Sequence, residues 1–354
     1  MKKYKQIEED IISRISSGEL AGGDKLDDIG ALCQKYQVSH ITVQKALENL
    51  SSQGYLKRIK GKGTFINEVP SSEKTRKIVF IVSDIESRDY SLLQLVSGAQ
   101  QIANENGCSL LLEFVNGTEE AEIEAFERYS NRAIDGFLLY VFSHTRLDKM
   151  IQKKGNIPYV MIDHCNRMLP CNFVSPNNTD GGFMATEYLI KKGHRNILFV
   201  TDRKTFSRYN TTQDRYVGYK NALTYYGLID NKKRLVLEEW QDVHELLRAI
   251  RKEAITGIFL PNDRGALMIE SQLIQKGISI PNDVSLIGFD DYESSQYAMV
   301  PLTTIKQDFK LLGKTAMRLL LDCMKDQNGN QYQKILLPLK LIERASVKEI
   351  HEKE

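Results

Sequence analysis

At 354 residues the chain exceeds one ordinary hydrophobic core, so two or three domains are expected. Its 42 % apolar and 27 % charged content excludes a disordered or fibrous protein. A formal net charge of +2 does not advertise a nucleic-acid partner, so any such partner must be read from local charge.

The amino terminus, Met1 to Asp10, turns acidic where a secretory signal would need its apolar core. No apolar run approaches the ~18 residues of a membrane span. Cys33, Cys108, Cys165, Cys171 and Cys323 form no CxxC pair and no metal-spaced cluster with histidine. A cytoplasmic protein with reduced thiols, no metal and no membrane partner is expected.

The first helix is predicted from Tyr4 to Ser17, with Ile7, Ile11, Ile12 and Ile15 on one face and Gly18 as its end. A second, Asp27 to Tyr36, opens with acids that suit the positive end of a helix and turns Ile29, Leu32 and Cys33 inward. After a turn at Gln37-Val38, Ser39 is a suitable N-cap for a third helix to Ser52, with Val43, Ala46, Leu47 and Leu50 inside. Tyr55–Ile59 and Thr64–Ile66 then read as strands around Lys60-Gly61-Lys62-Gly63, a hairpin with a basic, glycine-rich tip. The six residues Lys57 to Lys62 hold four cations.

Three helices and such a hairpin make a winged helix-turn-helix. Its third helix suits the major groove, the only groove that admits a helix and displays a full base code. Ser39, His40, Thr42, Gln44 and Lys45 lie at the start of that helix or off its buried face. Gln44 suits an adenine edge and Lys45 a guanine or a phosphate. Arg58, Lys60 and Lys62 suit phosphates or the minor groove. The competing reading is that these are solvated surface residues.

Over residues 1–66 the chain resembles GntR-family regulators. The resemblance rests on Ser17-Gly18-Glu19-Leu20, Gly23-Asp24-Lys25-Leu26, Val38 to Leu47, Gly54-Tyr55-Leu56 and Gly61 to Ile66. The family usually has arginine where this chain has His40 and Gln44, and Pro-Ser where it has Asp27-Asp28. DNA binding is still implied, but the family's usual operator sequence is not.

Residues 67–76 hold proline, two serines and mixed charge without an apolar stripe, and read as a linker. Beyond them, apolar runs at 77–82, 136–141, 159–162, 197–200, 257–260 and 284–288 alternate with helical stretches such as Gly182–Lys192 and Asp214–Tyr226. That alternation implies an α/β body of parallel sheets covered by helices on both faces. Ligands of such sheets bind beyond the carboxyl ends of the strands. Asp163, Asn262-Asp263 and Asp290-Asp291 follow strands there, where they suit sugar hydroxyls and equally suit ordinary turns and caps.

The body resembles the effector-binding core of the LacI family, itself similar to periplasmic sugar-binding proteins. It does so through Gly182-x-x-Ala185 to Gly193-His194-Arg195, Asp214-Arg215-x-x-Gly218-Tyr219, Pro261-Asn262-Asp263, Ile280 to Asp291, and Pro301 to Phe309. The resemblance implies a doubly wound α/β body of two subdomains, about 77–174 with 304–336 and about 175–303 with 337–354. It implies crossovers near Val174, Thr303 and Leu337. Arg215, Asn262, Asp290, Asp163 and Gln307 fall on the family's ligand positions. Trp240 falls near its ring-stacking aromatic, with core packing the alternative. Tyr90 and Tyr140 are weaker candidates from the stretch that aligns less well. His194 sits in a helix-end motif and reads as structural. No serine or cysteine is paired with a base, and Gly61-x-Gly63 has no following helix to make a phosphate loop.

The combination implies a transcriptional repressor without cofactor or enzymatic activity. It would be a homodimer on a pseudo-palindromic double-stranded operator, responding to a pentose or deoxyhexose such as arabinose or fucose. The alternatives are a transport-type sugar-binding protein, an activator responding to a non-sugar ligand, and an enzyme such as a pyridoxal-phosphate aminotransferase fusion. For the enzyme no lysine context supports a Schiff base.

Overall fold

The hydrophobic stripes of the first 66 residues converge on one small core. In the computed structural model, α1 (Lys3–Ser16) buries Ile7 and Ile11, and α2 (Ile29–Tyr36) buries Leu32. The third helix, α3 (His40–Ser52), buries Val43, Ala46, Leu47 and Leu50. The described residues are 3–16, 19–67, 75–83, 90–142, 145–154, 157–165, 169–228, 233–240, 242–325 and 332–351. They fall into two units, Met1–Thr75 and Arg76–Glu354. Gly18, residues 68–74 of the predicted linker and residues 84–89 of the less well aligned stretch lie outside them.

Helix starts in the first unit shift for local reasons. α2 begins after Asp28, because the Asp28 carboxylate accepts from the Ala31 N–H at 2.8 Å and caps the helix. α3 begins after Ser39, whose hydroxyl pairs with that of Thr42 at 2.9 Å instead of a backbone N–H. The hairpin is antiparallel, β1 (Leu56–Ile59) on β2 (Gly63–Ile66), with Ile59 opposite Gly63.

The second unit runs β3 (Lys77–Ser83), α4 (Tyr90–Glu105), β4 (Ser109–Val115), α5 (Glu119–Ser130), β5 (Gly136–Tyr140), α6 (Thr145–Lys154), β6 (Tyr159–Ile162) and β7 (Phe173–Pro176). It continues with α7 (Asn178–Lys191), β8 (Ile197–Asp202), α8 (Arg203–Arg208), α9 (Asn210–Tyr225), β9 (Lys233–Leu237), α10 (His244–Lys252), β10 (Gly257–Phe259), α11 (Asp263–Gln275) and β11 (Ser285–Asp290). It closes with β12 (Thr303–Lys306), α12 (Phe309–Lys325), β13 (Lys334–Leu337) and β14 (Lys340–Ile342).

Two sheets result, ordered β13-β7-β6-β5-β3-β4 and β14-β12-β11-β10-β8-β9. All pairings in them are parallel except β14 on β12. The unbroken apolar runs have a direct cause, since each central strand is buried on both faces. In β3, Ile78, Phe80 and Val82 join a core with α4 and α12, while Val79 and Ile81 join one with α5 and α6. In the second sheet Leu198 and Val200 face α10 and α11, while Ile197 and Phe199 face α7 and α9.

Chain crossings between the sheets follow Pro176, Lys306 and Leu337. The first two fall a few residues beyond the predicted Val174 and Thr303. The cause is that β7 stays paired through Pro176, opposite Leu337, and β12 through Lys306, opposite Asp290. The crossings are tied to each other where Asn177 N–H donates to the Leu337 carbonyl at 3.0 Å.

Candidate ligand cleft and nucleic-acid interface

Where the strands of the second unit end, they leave a cavity of about 500 Å³, within the range of small-molecule sites. Asp163, Arg215, Trp240, Asn262, Asp290, Gln307 and Tyr140 all line it. Asp163 follows β6 with φ 64°, and Asp290 ends β11 with φ 119°. Non-glycine residues in that region cost about 1–3 kcal/mol each, a strain that clusters at functional sites.

Arg215, on the second turn of α9, reaches the cavity and is almost fully buried. Its Nε donates to Asn178 Oδ1 at 2.8 Å, and its Nη1 donates to the Pro261 carbonyl and pairs with Asp290 Oδ1 at 3.4 Å. The guanidinium lies 3.6 Å from the centre of the Phe289 ring. Gln307, at the second crossing, donates from Nε2 to the same Asp290 oxygen at 2.5 Å. Its own Oε1 is buried without a hydrogen-bond partner among the described residues. An orphaned acceptor costs about 1–3 kcal/mol unless a donor arrives. A hydroxyl-bearing ligand supplies one.

Asn262 caps α11, its Oδ1 accepting from Gly265 N–H at 2.7 Å, so its amide nitrogen is the group left for a ligand. Trp240 serves both readings, since its indole lines the cavity and also packs where a Cβ on Gly265 would lie.

Several neighbours of these residues do other work. Tyr90 does not line this cavity. It is the first residue of α4 and is 56 % exposed. Ser91, Leu92 and Leu95 take the cavity side of that helix, while Tyr90, Leu93, Gln94 and Ser97 line an adjoining depression at i, i+3, i+4, i+7. Asp291 turns into that depression and is bound by Arg344 at 2.5 Å and Lys306 at 2.9 Å. Asp263 is fully buried under β12, accepting from Thr304 and Ser295 hydroxyls, both at 2.6 Å, and from Tyr292 N–H at 3.0 Å. His194 packs at the far end, its ring nitrogens on the Thr256 hydroxyl at 3.0 Å and the Lys348 carbonyl at 3.2 Å.

Sequence reading missed an aromatic wall. Phe142, His164 and Tyr209 line the cavity with Tyr140. Their ring centroids are 4.8 Å apart for Phe142–His164 and 4.9 Å for Phe142–Tyr209. Buried Glu122 accepts from the Phe142 N–H at 2.9 Å and from Ser83, tying β3 to the end of β5. From the other sheet's helices, Arg208 donates to the Gly117 carbonyl and lies 5.0 Å from the Phe142 ring, and Asn210 donates to the Cys165 carbonyl at 3.0 Å. A polar lining at strand ends leaves a signal in sequence. A wall assembled from three distant segments does not.

Burial, the largest cause, pushes the Asp290 carboxyl up to about 8 against the pull of Arg215, and Asp263 up to about 6 against its hydroxyl donors. A carboxyl raised in the folded state binds protons more tightly there, so its stability is full below the unfolded value and lost as pH rises through the folded one. The melting temperature is therefore expected to fall between about pH 6.5 and 8.5. His194, lowered to about 4 by desolvation, opposes this trend only on the acid side of the ordinary histidine value, 6.5. Melting curves of Asp290→Asn should show a flatter slope, and a slope equal to wild type would overturn the assignment.

In the first unit, His40 and Lys45 on α3 are exposed, and Thr42 and Gln44 are half-buried. Gln44 Nε2 donates to Glu48 Oε1 at 3.0 Å, and Lys45 Nζ lies 5.0 Å from the Tyr4 ring centroid. Arg58, Lys60 and Lys62 are exposed on the hairpin and its tip. Ser39 turns its hydroxyl to Thr42.

Residues 3–66 match the family model of bacterial regulatory proteins of the gntR family, and residues 186–347 that of a periplasmic binding protein-like domain. Over 99 % of its length the chain is 29 % identical to an arabinose metabolism transcriptional repressor of Geobacillus stearothermophilus, covering 99 % of that protein. A LacI family transcriptional regulator from Enterococcus faecium, solved with bound ribose, matches with TM-score 0.65 at 25 % identity, over 78 % of this chain and 100 % of that one. The lac repressor dimer bound to operator and the anti-inducer ONPF matches with TM-score 0.67 at 23 % identity, over 79 % and 96 %. The fold is a helix-turn-helix head followed by a LacI-like, periplasmic-binding-protein-type body with two parallel-sheet subdomains. No helix among the described residues is long and apolar enough to cross a membrane.

Proposed function

We propose that this chain, which joins a gntR-family regulatory domain to a periplasmic-binding-protein-like domain, is a sugar-responsive transcriptional repressor of a carbohydrate-utilisation operon. The observation that carries the effector half is the Arg215–Asp290–Gln307 cluster at a crossing between the subdomains, with a buried acceptor on Gln307. Fixed donors and acceptors beside aromatic faces suit a monosaccharide, whose hydroxyls pair and whose C–H face stacks. The names of the relatives, one an arabinose repressor and one a ribose-bound regulator, support a pentose. The head would bind a pseudo-palindromic operator as part of a homodimer.

Thermal shift with L-arabinose, D-ribose, D-xylose and L-fucose tests the effector half. A cognate sugar at a hundred times its Kd stabilises by about 2.7 kcal/mol. No shift with any of them would sink the pentose and deoxyhexose assignment. A gel shift with the positive sugar is expected to show release of the operator. For the head, Lys60→Ala with Lys62→Ala should weaken binding to all sequences and lower the salt slope by up to ~0.9 per lost phosphate contact. An unchanged slope would place the hairpin tip off the DNA.

A further inference from the structure

The helix that carries Gln44 also carries, in its first turn, Ile41, which at 79 % is the most exposed large apolar side chain among the described residues. Single surface isoleucines are ordinary, but three observations set this one apart. Ile41 and half-buried Gln44 stand at i and i+3, neighbours on the helix surface. Gln44 holds Glu48 with one N–H of its amide, which leaves the second N–H and the carbonyl for a planar partner. The same unit also exposes Lys45 on this helix and Arg58, Lys60 and Lys62 on the hairpin, with Glu48 held by Gln44.

Cations at the periphery match phosphates, whereas an isoleucine matches none of a phosphate's chemistry. In the major groove the one apolar group on a base edge is the C5 methyl of thymine. We propose that Ile41 reads a thymine methyl in the operator half-site that also holds the adenine read by Gln44, so that A·T pairs replace the guanines the usual arginines of such helices would select. The inference rests on the proposed DNA-binding role of the head and goes beyond it by naming the base and the atom.

The test uses the full chain. Operators are selected from random duplex DNA, and each enriched thymine is then replaced singly by deoxyuridine, which removes the methyl and nothing else. At one thymine per half-site wild type should bind on the order of fourfold more weakly, the value of one methyl-sized apolar group taken out of water. The Ile41→Ala variant should bind the dT and dU duplexes equally. If no single thymine shows the loss, or if Ile41→Ala keeps the same preference, Ile41 does not read a methyl while DNA recognition by the head stands. If the selection enriches no sequence, recognition by the head itself falls, and the inference with it. The wild-type arm needs no variant, so misfolding cannot imitate the result.

Discussion

Arg215→Ala is expected to abolish the response to the sugar that stabilises wild type and to destabilise the body by about 1–3 kcal/mol, the cost of leaving buried acceptors without their donor, with operator affinity unchanged within a few fold. The size of the effect follows from burial. The guanidinium, almost fully buried, meets Asn178 Oδ1, the Pro261 carbonyl and Asp290, and the alanine variant leaves those acceptors without their donor. Arg215→Lys keeps a charge but loses the planar fork and its seat on the Phe289 ring, so it should recover stability better than binding. Asp290→Asn removes the carboxylate while keeping a partner for Gln307, and should fold near wild type yet fail to respond. Urea unfolding beside sugar titration separates these outcomes. A normal sugar-dependent shift in Arg215→Ala would show that the cleft is not the effector site.

Gly218→Val carries the second large expectation, loss of the native body or destabilisation by about 1–3 kcal/mol or more, with the sugar response lost as well. α7 and α9 cross with almost no space between their backbones. A Cβ on Gly218 would fall on the Thr179 carbonyl, and one on Gly182 would fall on the carbonyl of Arg215. The glycines of the two motifs therefore seat the arginine. Pushing the helices apart moves the guanidinium out of reach of Asp290, and the effect on binding should exceed that of a volume change elsewhere in the core. A Gly218→Val protein with wild-type melting temperature and response would refute this account of the crossing.

Legibility in the sequence followed how local the physical cause was. The winged hairpin was readable because Gly61, Gly63 and the flanking alternation are neighbours in the chain, and because the helix stripes lie within one helix each. The central strands were readable because burial on both faces leaves an unbroken apolar run such as Ile78 to Val82. Strand-end polar residues were readable one by one, but their partition was not. Asp290 and Asp291 are adjacent, yet the first faces Arg215 in the cavity and the second is held outside it by Arg344 and Lys306. Tyr90 lies beside the cavity rather than in it for a similar reason. Its aromatic character was visible, but the phase of α4 around its axis is set by packing on α12, which begins more than 200 residues later.

By itself, then, the sequence determined a basic-tipped winged head, an alternating α/β body and a set of polar residues at strand ends. These depend on spacing of two to four residues, which the chain writes down directly. Tertiary structure alone decided which of those residues share one cavity. It brought Phe142, His164 and Tyr209 into an aromatic wall, seated Arg215 through a glycine crossing, and left the Gln307 oxygen buried without a donor among the described residues. Those are relations between segments far apart in the chain, fixed by close packing and by the exclusion of water, and no local pattern encodes them.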